Sequence, residues 1–290
     1  MNQMKKNIIL LGFFAFSFAA QASDFHSPRT AALAGSGHAS PLLNDAIYLN
    51  PSYTSFLPNY GFSINYLLYD AGNQNAAGYS DYNGHSLNFS IQDGRSDVFQ
   101  AGVGYTIRDD SKLLSIGASK AVVDKLGIGI GAKLVFPNDG SKMVNDGIFS
   151  TTYAFADFGQ TAFIIDNIIQ SSGAKDRGMY RQFIVGTKFN VEKVVLVYVD
   201  PHLTPDLPDM DDRTSNWGLE GGLEFPIMSD VFLRMGLMRN SYVPFVNRYS
   251  DGYGLGLGWL APRLSLDYAF QRVITPLPGH AHTFGITLYF

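Results

Sequence analysis

The feature that most constrains this chain is a two-residue alternation of apolar and polar side chains that recurs along most of its length. Successive side chains of a β-strand point to opposite faces, so this period predicts strands and an all-β fold. The last strand shows the alternation clearly, with Phe284, Ile286, Leu288 and Phe290 on one face and Thr283, Gly285, Thr287 and Tyr289 on the other. We predict fourteen strands, at about residues 60–69, 84–92, 96–107, 111–120, 125–136, 148–158, 161–169, 180–189, 192–199, 213–225, 230–239, 248–259, 262–271 and 281–290.

The lengths of the connections indicate which kind of β-protein this is. The even-numbered connections are tight, whereas most odd-numbered ones are longer and polar, with residues 108–111 as the exception. Short turns at one rim and long loops at the other are the arrangement of an antiparallel transmembrane β-barrel. An even strand number places both termini on the short-turn side, which we expect to be periplasmic.

A barrel in a bilayer has to be closed. An unpaired edge strand would leave backbone groups without hydrogen bonds in hydrocarbon, at a cost of several kcal/mol for each group. The last strand is therefore expected to pair with the first, and Phe290 is expected to face lipid at the rim.

The N-terminus has the pattern of a secretory signal peptide. Lys5 and Lys6 precede an apolar run at 8–20, and Ala20 and Ala22 form a small-x-small cleavage pattern. A run of about 13 residues is too short for a spanning helix, which needs roughly 20. We predict cleavage after Ala22, so that residues 1–22 are absent from the mature chain. No second long apolar run follows.

Composition narrows the class further. The chain has no Cys, which excludes disulfides, thiolate chemistry and Cys-based zinc sites. Charged residues make up only 16% and aromatic residues 14%, while the net charge of −4 gives no electrostatic reason to expect a nucleic-acid partner. An exported, Gly-rich and weakly charged chain fits a barrel in the outer membrane of a Gram-negative bacterium, in contact with its lipid.

Residues 23–59 precede the first predicted strand and are rich in small side chains. They contain the run 34–37, with Gly35 and Gly37, then Asn44 and Asp45, then Asn50 and Pro51 before Ser52. In these pieces, and in the order of later ones such as "WGLEGGLEF" and "LSLDYAFQ", the chain resembles the FadL-type transporters of hydrophobic compounds and the related PorV-like barrels. Ser52 departs from the Asn-Pro-Ala pattern of that family. The resemblance implies that 23–59 form a hatch or plug inside a barrel at 60–290.

Glycines on the predicted inner faces support a filled lumen independently of the resemblance. Glycine weakens a strand and often marks a bend or a close approach of another backbone. A plug lying against the wall would need such room, and bending for barrel closure is the alternative reading. The positions are Gly102, Gly104, Gly127, Gly129, Gly131, Gly252, Gly254, Gly256 and Gly258.

The C-terminal segment also resembles the assembly signal of outer-membrane barrels. Thr283, Gly285, Leu288 and Phe290 match its sequence of a polar residue, a glycine and alternating apolar positions that end on an aromatic residue. The resemblance implies recognition by the barrel-assembly machinery. The alternative is an ordinary strand.

One sector departs from the polar lumen of a water-filled porin. In "FIIDNII" and "VVLVYV" both faces are apolar, so apolar side chains must point inward there. Such a wall suits a hydrophobic small-molecule ligand, although packing against the plug is an equally good explanation. The candidates are Ile164, Ile168, Ile184, Val194, Leu196 and Tyr198.

Charged residues on inner faces complete the set of candidates. We interpret Glu220, Glu224, Arg234 and Asp267 as structural ion pairs in the lumen, with Arg234 and Glu220 on adjacent strands as one candidate pair. None of the six His residues belongs to a hydrolase motif, so we predict no catalytic residues, no enzyme activity and no cofactor. We also predict no metal site: His280 and His282 fit a solvated rim, and the Asp-rich loop at 206–212 is interpreted as solvated rather than as a Ca²⁺ site.

The sequence therefore favours passive uptake of hydrophobic small molecules, such as fatty-acid-like or aromatic compounds. Two alternatives stay open. PorV-like relatives bind exported proteins, which would make the barrel a scaffold, and a general hydrophilic porin is the third possibility.

Overall fold

The computed structural model describes residues 26–70, 83–205, 217–243, 245–246, 248–276 and 278–290. The predicted signal peptide, residues 1–22, lies outside these ranges. So do the carboxylates of the Asp-rich loop, which fall in the stretch 206–216.

Fourteen antiparallel strands form one closed barrel in which each strand pairs with its sequence neighbours and β1 pairs with β14. The predicted architecture and strand number are confirmed. The strands are β1 (Tyr60–Asp70), β2 (Asn83–Asp93), β3 (Gln100–Arg108), β4 (Ser111–Val123), β5 (Leu126–Pro137), β6 (Val144–Ala156), β7 (Gly159–Asp166), β8 (Gln182–Val191), β9 (Val195–Leu203), β10 (Trp217–Pro226), β11 (Val231–Val243), β12 (Arg248–Ala261), β13 (Leu264–Thr275) and β14 (Gly279–Tyr289).

Closure occurs at the chain end. The register of β1 against β14 runs from Gly61–Tyr289 to Asp70–His280, and the backbone N–H of Phe290 donates to Tyr60 O at 3.0 Å. The C-terminal aromatic residue thus extends the seam that closes the barrel.

The alternation in the sequence separates two faces of the wall. In β14, Thr283 and Thr287 are buried on the inner face, while Phe284 and Ile286 are about half exposed on the outer face. The outer face is largely apolar around the barrel, as a lipid-facing belt requires. At the short-turn rim it ends in exposed aromatic side chains, which are Phe99, Phe158, Trp259 and Phe290.

The connections follow the predicted asymmetry. Residues 124–125, 157–158 and 262–263 are two-residue turns on one rim, whereas 167–181 form a long connection on the other. That connection contains the short helix α3 (Ser172–Lys175). The connection between β11 and β12 is shorter than predicted, because β11 extends to Val243 and leaves only 244–247.

Before β1 the chain forms short helical turns rather than strands. They are α1 (Pro28–Ala32), a 3₁₀ turn (Leu43–Asp45), α2 (Ala46–Leu49) and a second 3₁₀ turn (Pro51–Phe56). The Ser27 side chain caps α1 by accepting from Thr30 N at 3.2 Å, and Pro28 occupies the first helical position, where no intrahelical donor is needed. None of the helices in the described ranges is long and apolar enough to cross a membrane.

Candidate functional site

Residues 26–56, here called the N-terminal segment, contact inward-facing side chains on several sides of the barrel. Tyr48 Oη accepts from Asn88 Nδ2 on β2 at 2.7 Å. On the far side, Arg29 Nε donates to Glu224 Oε2 on β10 at 3.1 Å. These bonds tie the segment to opposite parts of the wall, so it lies across the lumen.

The residues singled out in the segment each meet a specific partner. Asn44 Nδ2 donates to Ser90 O at 2.9 Å, and Asp45 Oδ2 accepts from Ser27 Oγ at 2.6 Å. Gly35 and Gly37 have φ of +98° and +113°, in the left-handed region that favours glycine, and they form a turn after α1.

The Asn50–Pro51–Ser52 stretch joins the segment to β6. Asn50 Nδ2 donates to Thr152 Oγ1 and to His38 O, both at 2.8 Å, so one amide bridges the wall and an earlier part of the segment. Ser52 N donates to Ser150 Oγ at 2.9 Å. The serine that departs from the family pattern adds a hydroxyl that donates to Asn50 Oδ1 at 2.6 Å.

Wall glycines lie where the segment approaches most closely. A Cβ on Gly254 would lie 2.1 Å from Ala31 O, and one on Gly129 would lie 2.2 Å from Ser52 N. Because Cβ atoms essentially never come within 3.0 Å of such atoms, a side chain at either position would displace the segment. Gly129 and Gly254 thus make the close approach expected of inward glycines, whereas Gly252 and Gly258 of the same predicted set meet Arg272 and Asp267 of the wall.

A buried network of four charges fixes α1 to the wall. Glu224 Oε2 accepts from both Arg29 Nε and Arg234 Nε, the latter at 2.6 Å, and Arg234 also pairs with Asp267. Arg234 and Glu220 were one candidate pair, and this candidate is wrong. The register of β10 and β11 places Glu224 opposite Arg234 and Glu220 opposite Met238.

Asp200 holds the turn after α1. Its Oδ2 accepts from Gly37 N at 2.7 Å, from His38 N at 2.9 Å and lies 2.9 Å from His38 Nδ1. Sequence reasoning missed this residue because the strand was predicted to end at about 199, which placed Asp200 in the following loop. In the structure β9 continues to Leu203, and the alternation of Tyr198, Asp200 and His202 was the signal for the longer strand.

Only part of the predicted apolar sector faces the lumen of the barrel. Ile164, Ile184 and Tyr198 are buried on the inner face, and Leu196 is half-buried on the same face as Tyr198. Ile168 lies beyond the end of β7 and is 38% exposed, and Val194 lies before β9 and is 64% exposed. The placement of these last two in the lumen is wrong, because the strands end before reaching them.

The inner isoleucines pack against the N-terminal segment. Ile164 and Ile184 oppose each other across β7 and β8 and form one cluster with Ile148, Ala162 and Ala39 of the segment. The apolar wall is therefore covered by Ala39, and its role in contacting a ligand stays a prediction.

A second apolar surface, at the long-loop end, was not predicted. We call it the mouth cluster. It combines inner-face residues of β1, β11, β13 and β14 with residues at the turn between β11 and β12, and it reaches Ala34 of the N-terminal segment. Single inward apolar residues on otherwise polar faces gave too weak a pattern to detect it. Its members are Leu67, Met238, Val243, Phe245, Val246, Val273, Ala281 and Ala34.

Asp45 and His38 are two groups of the segment whose pKa values are shifted by their surroundings. Burial raises the pKa of Asp45 to about 6, although hydrogen bonds from Ser27 and the charge of Arg29 act in the opposite direction. Burial alone would lower the pKa of His38, but the hydrogen bond and charge of Asp200, with the charge of Glu220, raise it to about 9. The segment therefore carries a neutral carboxyl in mild acid and a cationic imidazole at neutral pH.

Comparison with solved structures finds the same fold in channels and transporters. The CymD monoaromatic hydrocarbon channel matches with a TM-score of 0.62 at 12% identity, over 95% of this chain and 99% of that one. The toluene transporter TbuX of Ralstonia pickettii matches with 0.61 at 12% identity, over 92% and 98%.

A FadL homologue of Pseudomonas aeruginosa matches with a TM-score of 0.62 at 13% identity, over 94% of this chain and 99% of that one. At such identities the likeness concerns the fold, and the fold expected from the resemblance to FadL-type transporters is confirmed. No family model matches the chain, and no curated protein matches it.

Proposed function

We propose that this chain is an outer-membrane channel for the passive entry of hydrophobic small molecules. The mouth cluster is the observation that carries the proposal. A water-filled porin has a polar interior, whereas here Leu67, Val273 and Met238 present a buried apolar surface at the long-loop end. The shared fold with a monoaromatic hydrocarbon channel and a toluene transporter agrees with this chemistry.

In this mechanism, residues 23–59 act as the hatch. A compound enters from the long-loop side and contacts the mouth cluster, which reaches Ala34 at the turn after α1. The lumen beyond is crossed by the segment that Glu224, Asp200 and Thr152 hold by hydrogen bonds. The compound passes when some of these bonds open, so the hatch limits the leak of polar solutes.

The orientation proposed for the barrel places both termini in the periplasm. The short-turn rim carries the exposed aromatic side chains described above, and among them Phe290 is 65% exposed. An exposed terminal aromatic residue is accessible to the assembly machinery during insertion. Neither passive entry nor assembly of the barrel requires a catalytic residue in the lumen.

A matched pair of substitutions tests the hydrophobic path. Leu67 and Ser86 lie opposite each other on β1 and β2, at the same height, and both are buried on the inner face. Leu67→Asn removes apolar surface from the mouth, while Ser86→Asn alters an already polar position. We expect Leu67→Asn to lower uptake of toluene by about tenfold, equivalent to about 1.4 kcal/mol of lost apolar contact. Ser86→Asn should stay near the wild-type rate.

Equal uptake by both folded variants would exclude the mouth cluster as the path. A general porin would instead admit a sugar of similar size as fast as toluene. The scaffold alternative predicts no uptake of any hydrophobic probe, together with specific capture of an exported protein by the purified barrel.

A further inference from the structure

Three side chains that can bind metal ions meet where the N-terminal segment touches the wall. His38 Nδ1 lies 2.9 Å from Asp200 Oδ2 and 3.7 Å from Glu220 Oε2, and the three ligand atoms all lie within 4.8 Å of one another. All three residues are buried. One ligand belongs to the segment and two belong to the barrel, so an ion here would join the two parts.

The register of the wall forces the two carboxylates together. Asp200 on β9 is paired with Glu220 on β10, and both side chains point inward. Two buried carboxylates side by side repel each other unless positive charge compensates them. His38 supplies at most one positive charge for two negative ones.

The arginine and lysine side chains described around this site bond other groups. Arg29 and Arg234 both bond Glu224, and Lys188 Nζ donates to Ser40 Oγ at 3.1 Å. With a neutral imidazole, a divalent ion would balance the two carboxylates. Its binding displaces the proton of His38 Nδ1, which leaves as solvated H⁺.

Packing holds the carboxyl group of Glu220 in place, while one of its two oxygens makes no hydrogen bond with the described residues. Its carboxyl packs on Gly35, where a Cβ would lie 2.7 Å from Glu220 Cδ. No atom among the described residues makes a hydrogen bond with Glu220 Oε2, although this oxygen is buried. An unsatisfied buried carboxylate oxygen is costly, and here it points at His38.

The spacing fits the coordination shell of a small transition-metal ion. Ligand bonds of about 2.0–2.2 Å in a tetrahedral shell place neighbouring ligand atoms about 3.3 Å apart. The separations of 2.9 and 3.7 Å from His38 Nδ1 bracket this value. Gly37 N and His38 N donate to Asp200 Oδ2, the oxygen that faces His38 Nδ1, and such outer-shell donors commonly orient a ligating carboxylate.

We propose that His38, Asp200 and Glu220 bind one divalent transition-metal ion of the zinc type, which fastens the N-terminal segment to β9 and β10. The imidazole ligand favours zinc-like ions over Mg²⁺ and Ca²⁺, which prefer oxygen ligands alone. The site does not depend on which compound crosses the barrel, so it can be tested without a transport assay.

The test uses full-length mature protein purified in detergent with a tag that contains no histidine. After treatment with a chelator, zinc chloride is titrated by calorimetry and bound metal is measured after dialysis. We expect one zinc per barrel, with affinity at least about tenfold weaker in Glu220→Gln and in His38→Ala. Heat-modifiable migration identifies folded protein for each variant.

The matched control is the double variant His280→Ala/His282→Ala, which removes a pair of neighbouring imidazoles on the outer face of β14. It should bind zinc as the wild type does. Absence of zinc from the folded wild type would overturn the proposal. Wild-type affinity in both folded lumen variants, or loss of binding in the outer-face control, would overturn it equally.

Discussion

Removing the charge of Arg29 should loosen the N-terminal segment, and the size of the effect should depend on Glu224. Arg29 is 4% exposed, and its guanidinium donates to Glu224 and, at 2.7 Å, to Tyr198 Oη. Arg29→Met keeps much of the buried stem but removes both hydrogen bonds. Glu224→Gln keeps the side-chain shape and removes the negative charge that two arginines share.

The charges in this network determine how much stability each substitution should remove from the docked segment. Arg29, Arg234, Glu224 and Asp267 together carry no net charge. Arg29→Met leaves Glu224 paired with Arg234, so we expect a loss of about 3–6 kcal/mol for the two hydrogen bonds that the charged guanidinium donates. Glu224→Gln leaves Arg29 buried without a carboxylate, which costs about 3–5 kcal/mol. The double variant restores neutrality and keeps the pair of Arg234 and Asp267, so its loss should fall short of the sum by about 1.5–3 kcal/mol.

Native-state hydrogen exchange measures this directly. Opening free energies for α1 amides are read by mass spectrometry in the wild type, both single variants and the double variant, with β4 amides as the internal reference. Changes that add within about 0.5 kcal/mol would refute a shared network. Equal changes in α1 and β4 would show that the whole barrel, rather than the docking of α1, had been weakened.

Three further predictions follow from positions outside this network. Gly254→Val should displace α1 from Ala31 onward and raise single-channel conductance, whereas Gly221→Val, whose Cβ would meet its nearest atom at 3.9 Å, should leave conductance unchanged. Because the pKa of Asp45 rises from 3.8 to about 6, the stability that its protonated form adds is lost as pH increases from about 4 to 6, by up to about 3 kcal/mol. The opening free energy of segment amides, obtained from exchange rates corrected for the intrinsic rate at each pH, should fall across that window and stay constant in Asp45→Asn; a constant wild-type value would contradict the shift. Deleting Phe290 should lower the yield of heat-modifiable barrel in the outer membrane, and an unchanged yield would exclude its role in assembly.

The barrel was predictable from the sequence because its signal is local and repeated. Each strand needs only the two-residue period, and closure follows from the cost of an unpaired edge in lipid. Strand ends were less predictable, since a polar inward residue at the rim resembles a loop residue. For this reason Asp200 was not predicted as an inward-facing residue, and its contact with the turn at His38 was not predicted either.

Contacts inside the lumen leave no comparable local signal. Arg29 and Glu224 are 195 positions apart, and His38 and Asp200 are 162 apart, so nothing in the neighbourhood of either residue reports its partner. The strand register then decides which of two inward-facing glutamates pairs with Arg234, a choice that composition cannot make. Glu220 and Glu224 both point inward on β10, four residues apart, but only Glu224 stands opposite Arg234.

The same register leaves Glu220 beside Asp200 and next to the segment, where no arginine of the described residues forms an ion pair with it. Two neighbouring strands therefore hold the N-terminal segment: Glu224 on β10 bonds Arg29, and Asp200 on β9 bonds the turn at His38, which lies beside Glu220. The two attachments lie on either side of the turn that ends α1. Opening the lumen along β9 and β10 requires both to release, whereas loss of either one alone leaves the segment fastened on one side of that turn.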